Sequence, residues 1–363
     1  MRAIGVLHYG PASNLHSTTL PTPKPAARQL LVRTKAVSVN PIDIKVRAGT
    51  YDDAPDYYPR VKASTTQYNE PHVMGYDGAG VVEAVGEDVR HFQPGDAVFF
   101  LANPLMQGTY AEFVAVDERH AGHKPASLDF VQAAAMPLTY GTAYEALVDR
   151  LGIVPGKGEK AGLVIINGGG GVGSIATQIA RKVLGLPVVI TTVSRPETEA
   201  FSRSMGATHV VNHREDIVRQ IRALQDLPAD VPLKYALVTS RTEQYIAPLA
   251  EVLVTFGKVC SIVQAKFDMY GSQFMSKSLT FSWCWLCSGA YHGYVNDREE
   301  KHHEWFEELA RLLDQGELKC HLTRRLRLNV AGIKQAHEVV ENGTTVGKIA
   351  LGVDEDGDGN VFE

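Results

Sequence analysis

The run Leu163-Val-Ile-Ile166, followed at once by Asn-Gly-Gly-Gly-Gly-Val-Gly173, limits the fold more than any other stretch of these 363 residues. Four apolar residues in a row read as a strand buried on both faces. Gly168, Gly170 and Gly173 then satisfy G-x-G-x-x-G, and Val172, Ile175, Ala176, Ile179, Ala180 and Val183 recur at helical spacing. Strand, glycine turn and helix in that order form a unit whose backbone can approach a pyrophosphate, with the helix N-terminus aimed at the anion. Gly168, Gly170, Gly171, Val172 and Gly173 are therefore candidate dinucleotide contacts. A glycine loop alone often only turns; the strand before it and the helix after it favour binding.

The same rhythm continues on both sides of the loop. After about residue 134, Leu163–Ile166, Val188–Val193, His209–Asn212, Tyr235–Val238, Lys258–Val263 and Leu279–Trp283 alternate with helical patterns. Six strands with crossovers make an α/β fold with a doubly wound parallel sheet. Before about residue 130 the chain is rich in Val, Gly and Pro, and short alternating runs are separated by turns such as Pro94-Gly95-Asp96. That pattern predicts a β-rich, partly open barrel. Residues 51–71, polar and rich in Pro and Tyr, read as a long loop near the site. Trp305, Phe306, Leu309, Leu312 and Leu313 predict a helix over about 298–315, and Arg324-Arg-Leu-Arg-Leu328 reads as a strand with leucines inward and arginines in water.

Which dinucleotide is bound is set at the end of the second strand. An NADH site places a carboxylate there for the ribose 2′-hydroxyl. This chain reads Thr191-Thr-Val-Ser-Arg-Pro196, with no carboxylate before Glu197. Ser194 can donate to a 2′-phosphate and Arg195 can pair with its charge, so NADPH is the expected cofactor. The competing reading is an ordinary solvated Ser-Arg turn.

Bulk properties remove several function classes. A formal net charge of −5 gives no general attraction to nucleic acid or anionic membrane, and no run of about 18 apolar residues exists. The N-terminus MRAIGVLHYG begins like a strand rather than a signal segment. Four scattered cysteines, at 260, 284, 287 and 320, do not make a disulfide scaffold, and a reducing, cytoplasmic setting is expected.

The order of features resembles the medium-chain dehydrogenase/reductase superfamily over nearly the whole length. Ser38-Val-Asn-Pro-Ile-Asp43, Gly49-Thr-Tyr51, Gly75–Gly80, Gly95-Asp-Ala-Val98, Gly168–Gly173, Gly206-Ala207 and Gly347-Lys348 carry the likeness. Within it the chain is similar to the quinone oxidoreductase (zeta-crystallin) group. Thr242-Glu243-Gln244, Lys277–Trp283 and Gly347–Leu351 suggest its zinc-type alcohol dehydrogenase-like branch. The resemblance implies a Rossmann dinucleotide-binding domain over 134–285. Around it would lie a GroES-like catalytic domain, formed by residues 1–133 and 286–363.

It also implies an answer about metal. Zinc alcohol dehydrogenases carry Cys where this chain has Asn40, and His-Glu where it has Tyr76-Asp77. Neither the cysteine of the catalytic set near 137–140 nor the four of a structural zinc site near 95–115 are present. No metal ligand is assigned. Related quinone and enoyl reductases bring an Asn-Pro-x-Asp segment and a nearby Tyr beside the nicotinamide, which makes Asn40, Asp43 and Tyr51 the candidate catalytic residues. Asn40 would orient a carboxamide or the substrate oxygen, Asp43 would order the local network, and Tyr51 would donate a proton or hydrogen bond. All three have a purely structural alternative, Asn40 and Asp43 as caps of a turn. Thr139, Asn212, His213 and Lys348 complete the candidate cofactor set.

The expected partners are a small-molecule quinone or enone and a second copy of the chain, paired through Leu279–Trp283 as in relatives. Alternatives are a zinc-type alcohol dehydrogenase and a weakly catalytic NADPH-binding structural or RNA-binding protein. Three other signals read as structural. Cys284-Trp-Leu-Cys287 lacks a second pair and reads as buried thiols. His302-His303, being adjacent on a helix, reads as solvated surface. Asp354–Asn360 imitates the start of a calcium loop but reads as an acidic, disordered tail.

Overall fold

The computed structural model describes residues 1–65, 71–293, 297–353 and 362; the acidic stretch at 354–360 lies outside them. The chain divides into two compact units, Met1–Leu138 with Cys287–Glu363, and Thr139–Leu286. In chain order the first contributes β1 (Arg2–Val6), β2 (His16–Thr19), β3 (Gln29–Val39), α1 (Pro41–Ala48), α2 (Tyr57–Thr65), β4 (His72–Val73) and β5 (Asp77–Val85). β6 (Ala97–Leu101), β7 (Phe113–Asp117), β8 (Ala121–His123) and α3 (Phe130–Ala134) follow, and the unit boundary falls within α4 (Pro137–Tyr144). The second unit holds β9 (Gly162–Ile166), α5 (Gly171–Gln178), β10 (Val188–Val193), α6 (Pro196–Ser204), β11 (His209–Asn212) and α7 (Ile217–Arg222). It ends with β12 (Leu233–Val238), α8 (Thr242–Val252), β13 (Lys258–Ser261) and β14 (Thr280–Trp283). The chain then returns to the first unit with α9 (Ser288–His292), α10 (Asp297–Asp314), β15 (Leu322–Arg327), α11 (Val330–Glu341) and β16 (Lys348–Gly352).

The second unit is one parallel sheet in the order β11-β10-β9-β12-β13-β14. β9, the strand of the glycine loop, is buried at all five residues because strands pair on both sides and helices cover both faces. Val164, Ile166, Ile190, Val238, Ile246 and Leu249 form the centre of its core. This is the doubly wound sheet that the strand rhythm predicts.

In the first unit a seven-stranded sheet runs β15-β16-β3-β5-β6-β8, with β7 also on β3, and β2-β1-β4 forms a second sheet. The leucines and valines of the alternating runs, such as Leu30, Val32, Val82, Val98 and Val114, meet in its core. β15 exposes Arg324, Arg325 and Arg327 and half-buries Leu326.

Two expectations need correction. Residues 51–71 are not simply a loop, since Tyr57–Thr65 are helical. Ala54, Tyr57 and Val61 are buried at near-helical spacing, and Pro59 falls in the first turn, where a missing N–H costs nothing. His302 is not surface: it packs against His120, Trp305 and Phe306 and is 8% exposed. It lies three and four residues before Trp305 and Phe306, so the buried stripe of α10 continues one turn earlier than its leucines show. His303 stacks on His91, and its Nδ1 donates to Ala121 O at 2.9 Å. No described helix is long and apolar enough to cross a membrane.

Candidate functional site

At the end of β9 the chain turns through Asn167, whose φ of +63° is rare for a residue with a side chain. Its N–H is held by Thr192 Oγ1 at 2.9 Å, and the N–H of Gly168 by Thr192 O at 3.0 Å. The third glycine is obligatory on steric grounds. A Cβ at Gly173 would lie 2.2 Å from Asn167 O, and one at Gly168 2.4 Å from Thr191 Cβ. Gly170, Gly171 and Val172 remain partly exposed at the start of α5. The backbone N–H groups of that first turn have no helical partner and suit an anion.

Arg195 N-caps α6 and its guanidinium lies 2.8 Å from Glu197. His213 follows β11, with Nδ1 3.3 Å from Thr192 Oγ1. Burial and then the charges of Arg214, Arg241 and Arg195 hold its pKa below the ordinary histidine value. The charges of three arginines thus act on His213 where β11 ends. Arg214 and Arg241 carry no local signal in the sequence, because only the sheet brings three separate connections together. Asn212 is engaged in its own turn, accepting from Arg214 N and donating to Glu215. Thr139 is buried near the start of this unit.

The first unit contains the other candidates. Asn40 N-caps α1, and its N–H donates to Asp43 Oδ2 at 2.7 Å, a reciprocal cap that Pro41 at the first helical position supports. Asn40 Nδ2 donates to Asp77 Oδ2 at 2.8 Å, which also accepts from Ser38 Oγ at 2.7 Å. Asp77 Oδ1 accepts from Leu138 N at 2.7 Å. Lys348, on β16, donates to Asn40 Oδ1 at 2.6 Å and Val39 O at 2.7 Å, and its ammonium is 3.7 Å from Asp77. Both ends of the Asn40 amide and the ammonium of Lys348 are therefore committed within this buried network. Desolvation pushes the carboxyl of Asp43 up to about 7 and raises that of Asp77, opposed in each by Lys348. Lys348 is lowered by the same burial.

Tyr51 is 3% exposed and lies in a cluster of phenols. Its ring meets that of Tyr57 edge-on, its N–H donates to Tyr58 OH at 2.9 Å, and its hydroxyl faces the Asp53 carboxyl. Burial first, then the charge of Asp53, raises its pKa far above the ordinary phenol value, so it stays a neutral donor. Asp53 is itself raised by burial. Tyr57 OH and Tyr76 OH lie 2.5 Å apart.

A zinc ion does not fit these residues. Asn40 presents an amide whose oxygen already holds an ammonium, Tyr76 is spent on Tyr57, and Asp77 is balanced by Lys348. A second cation beside Lys348 would meet repulsion, and zinc prefers nitrogen and sulfur donors. Among the described residues no group of three or more His, Cys, Asp or Glu is placed to hold a metal.

The alcohol dehydrogenase GroES-like domain family matches residues 26–126, and the zinc-binding dehydrogenase family matches residues 205–351. A zinc-type alcohol dehydrogenase-like protein of Staphylococcus epidermidis is 35% identical over 332 residues, 91% of this chain and 92% of the relative. The chain belongs to the medium-chain dehydrogenase/reductase superfamily. It is an oxidoreductase with that superfamily's nucleotide-binding fold. The NADPH-dependent alkenal/one oxidoreductase of Arabidopsis thaliana chloroplasts is 35% identical over 216 residues, 58% of this chain and 49% of that one. The crystal structure of Escherichia coli quinone oxidoreductase complexed with NADPH is 25% identical with a TM-score of 0.76, covering 97% and 100% of the two chains. The Staphylococcus relative carries a zinc-type name, while Asn40, Tyr76 and Asp77 of this chain are engaged with Lys348 and Tyr57.

Proposed function

We propose that this protein is a zinc-independent, NADPH-dependent reductase of quinones or α,β-unsaturated carbonyls. The observation that carries the reading is the Lys348–Asn40–Asp77 network, which puts an ammonium among the residues that stand in for zinc ligands. Without a Lewis acid an alkoxide gains little stabilisation. A conjugated acceptor needs less, because its charge spreads to a carbonyl oxygen that one hydrogen-bond donor can hold. The names of the alkenal/one and quinone relatives support the same substrate class.

When bound, the reduced nicotinamide supplies a hydride, two electrons and one proton's mass, to the β-carbon. Gly168–Gly173 and the first turn of α5 hold the pyrophosphate. Ser194, with Arg195, Arg214 and Arg241 around His213, receives the 2′-phosphate. Tyr51 donates its proton to the developing enolate oxygen and is reprotonated from solvent, with the Asp53 carboxylate beside it as the acceptor that orients the phenol. Asp43 and Asn40 hold the N-terminus of α1, on whose far side Gly49 leads to Tyr51.

The deciding experiment is turnover of an enone, a quinone and a primary alcohol with NADPH, NADP⁺ and their NAD counterparts, with and without chelator. Alcohol oxidation that disappears with a stoichiometric zinc would overturn the reading. Arg195→Ala should weaken NADPH binding by about 1–3 kcal/mol, the scale of a charge-assisted contact, and leave NADH nearly unchanged. Equal affinity of the unmutated protein for both cofactors removes that assignment. Tyr51→Phe should lower kcat on an enone about tenfold to a hundredfold, less than a full oxyanion hole, because water can partly substitute. An unchanged enone rate would make Tyr51 a lining residue only.

A homodimer is part of the proposal. β14 is the last strand of its sheet, and Phe256, Tyr270, Met275 and Trp283 nearby in sequence are 69%, 95%, 91% and 44% exposed. An open strand edge with exposed aromatics invites pairing with a second copy. Light scattering should give twice the chain mass, with Trp283→Lys shifting it to one; a monomeric unmutated protein refutes it.

A further inference from the structure

α2 and α9 are far apart in the chain and meet at one side chain. The Tyr291 hydroxyl donates to Asp56 Oδ1 at 2.7 Å, across 235 positions of sequence. Its ring lies under the guanidinium of Arg60, with Cζ 4.1 Å from the ring centroid, and Arg60 Nη2 donates to its carbonyl oxygen. The same ring is parallel to Tyr57 at 6.4 Å, and Tyr57 in turn packs edge-on against Tyr51 at 4.8 Å. Tyr291 is thus gripped at its hydroxyl, ring face and backbone by two residues flanking Tyr57.

We propose that Asp56, Arg60 and Tyr291 form a clamp that positions Tyr51, acting through Tyr57 and the start of α2; this rests on the reading of Tyr51 as the donor to substrate. Burial alone does not account for the arrangement. Phenylalanine would fill the fully buried ring site of Tyr291 equally well, and Asp56 is exposed and adds nothing to a core. What the hydroxyl and the carboxylate add is direction, which fixes the rotation of α2 about its axis and with it the ring of Tyr57. Catalysis is sensitive to such placement, since a displacement of about 1 Å far from the chemistry can cost on the order of a hundredfold.

The test is a set of variants in the full-length protein, read as kcat and KM on an enone and a quinone, NADPH dissociation constant and melting temperature. Tyr291→Phe and Asp56→Ala should each lower enone kcat about three- to tenfold, a fraction of that displacement limit, with NADPH affinity unchanged. The quinone should suffer less. Asp56→Asn, whose amide oxygen still accepts from Tyr291, should recover most of the rate. In a Tyr51→Phe background Tyr291→Phe should cost nothing more, because a clamp has nothing left to aim. If Tyr51→Phe slows enones but Tyr291→Phe and Asp56→Ala do not, the clamp is wrong and the donor stands. The same loss from Tyr291→Phe with and without the Tyr51 hydroxyl also overturns the clamp. If Tyr51→Phe costs nothing, the donor reading and the clamp fall together.

Discussion

Lowering the pH from 7 to 5 is expected to unfold the unit of residues 1–138 and 287–363 before the six-stranded unit. Five buried histidines drive this. Burial lowers His72 and His120 to about 4, and His302, His321 and His337 to about 3. All five lie in the first unit. In the second unit His213, half-buried, is the one histidine lowered. A base whose folded pKa is depressed takes its proton more readily when unfolded. The stability it contributes is complete above about 6.5 and is lost as the pH falls toward 4.

At pH 5 each of these histidines costs about 2 kcal/mol, and a domain's whole stability is about 5–15 kcal/mol. Three carboxyls oppose them. Asp43, Asp53 and Asp77 have raised pKa values, so they bind protons in the folded state and favour it as the pH falls. They are outnumbered. Carboxylates held low, such as Glu112, Asp117 and Glu118, withdraw their support only below about 4.5, a separate and more acid window. Hydrogen exchange followed by peptide as a function of pH should show α10, α11 and β4 losing protection first. Full protection of these elements at pH 4.5 would refute the prediction. His302→Phe, with no base to protonate, should shift the transition to lower pH.

Asp77→Ala should cost about 3–5 kcal/mol, the largest single-residue effect expected away from the glycine loop. The carboxylate accepts from Ser38, Asn40 and Leu138 and balances Lys348, all with little or no solvent. Removing it leaves a buried ammonium without its counter-charge and three donors without an acceptor. The loss should fall mainly on the partner left behind rather than on the pair as such. Asp77→Leu combined with Lys348→Met should therefore recover a large part of the stability, because two apolar groups replace two charges. Urea unfolding gives both values. A cost below about 1 kcal/mol for the single change would mean that Lys348 reaches water or is already neutral. Asp77→Ala should also lower turnover, since it releases the Asn40 amide that Asp77 holds in place.

Much of the nucleotide unit was legible along the chain. A strand buried on both faces must be continuously apolar, a helix must repeat at 3.6, and the turn between them must lack side chains where Gly173 passes Asn167 at contact distance. Those constraints act over about 20 residues, so composition and spacing reveal them. The residue types at the end of β10 were equally local. That the charges of Arg195, Arg214 and Arg241 all act on His213 was not, because β11 and β12 must first lie on either side of the β10–β9 pair.

The other site was decided by distance along the chain. Asn40 and Lys348 are 308 residues apart, and their pairing required β16 to lie antiparallel to β3. Read singly, Asn40 was a candidate contact for a carboxamide and Lys348 for a dinucleotide; together with Asp77 they form a closed charge network. The burial of His302 and the grip of Tyr291 on Asp56 have the same origin. A side chain's charge state and freedom depend on the water removed around it and on partners from distant segments. The sequence specifies each residue's chemistry, but the folded sheets and helices decide which of those groups meet and which remain in solvent.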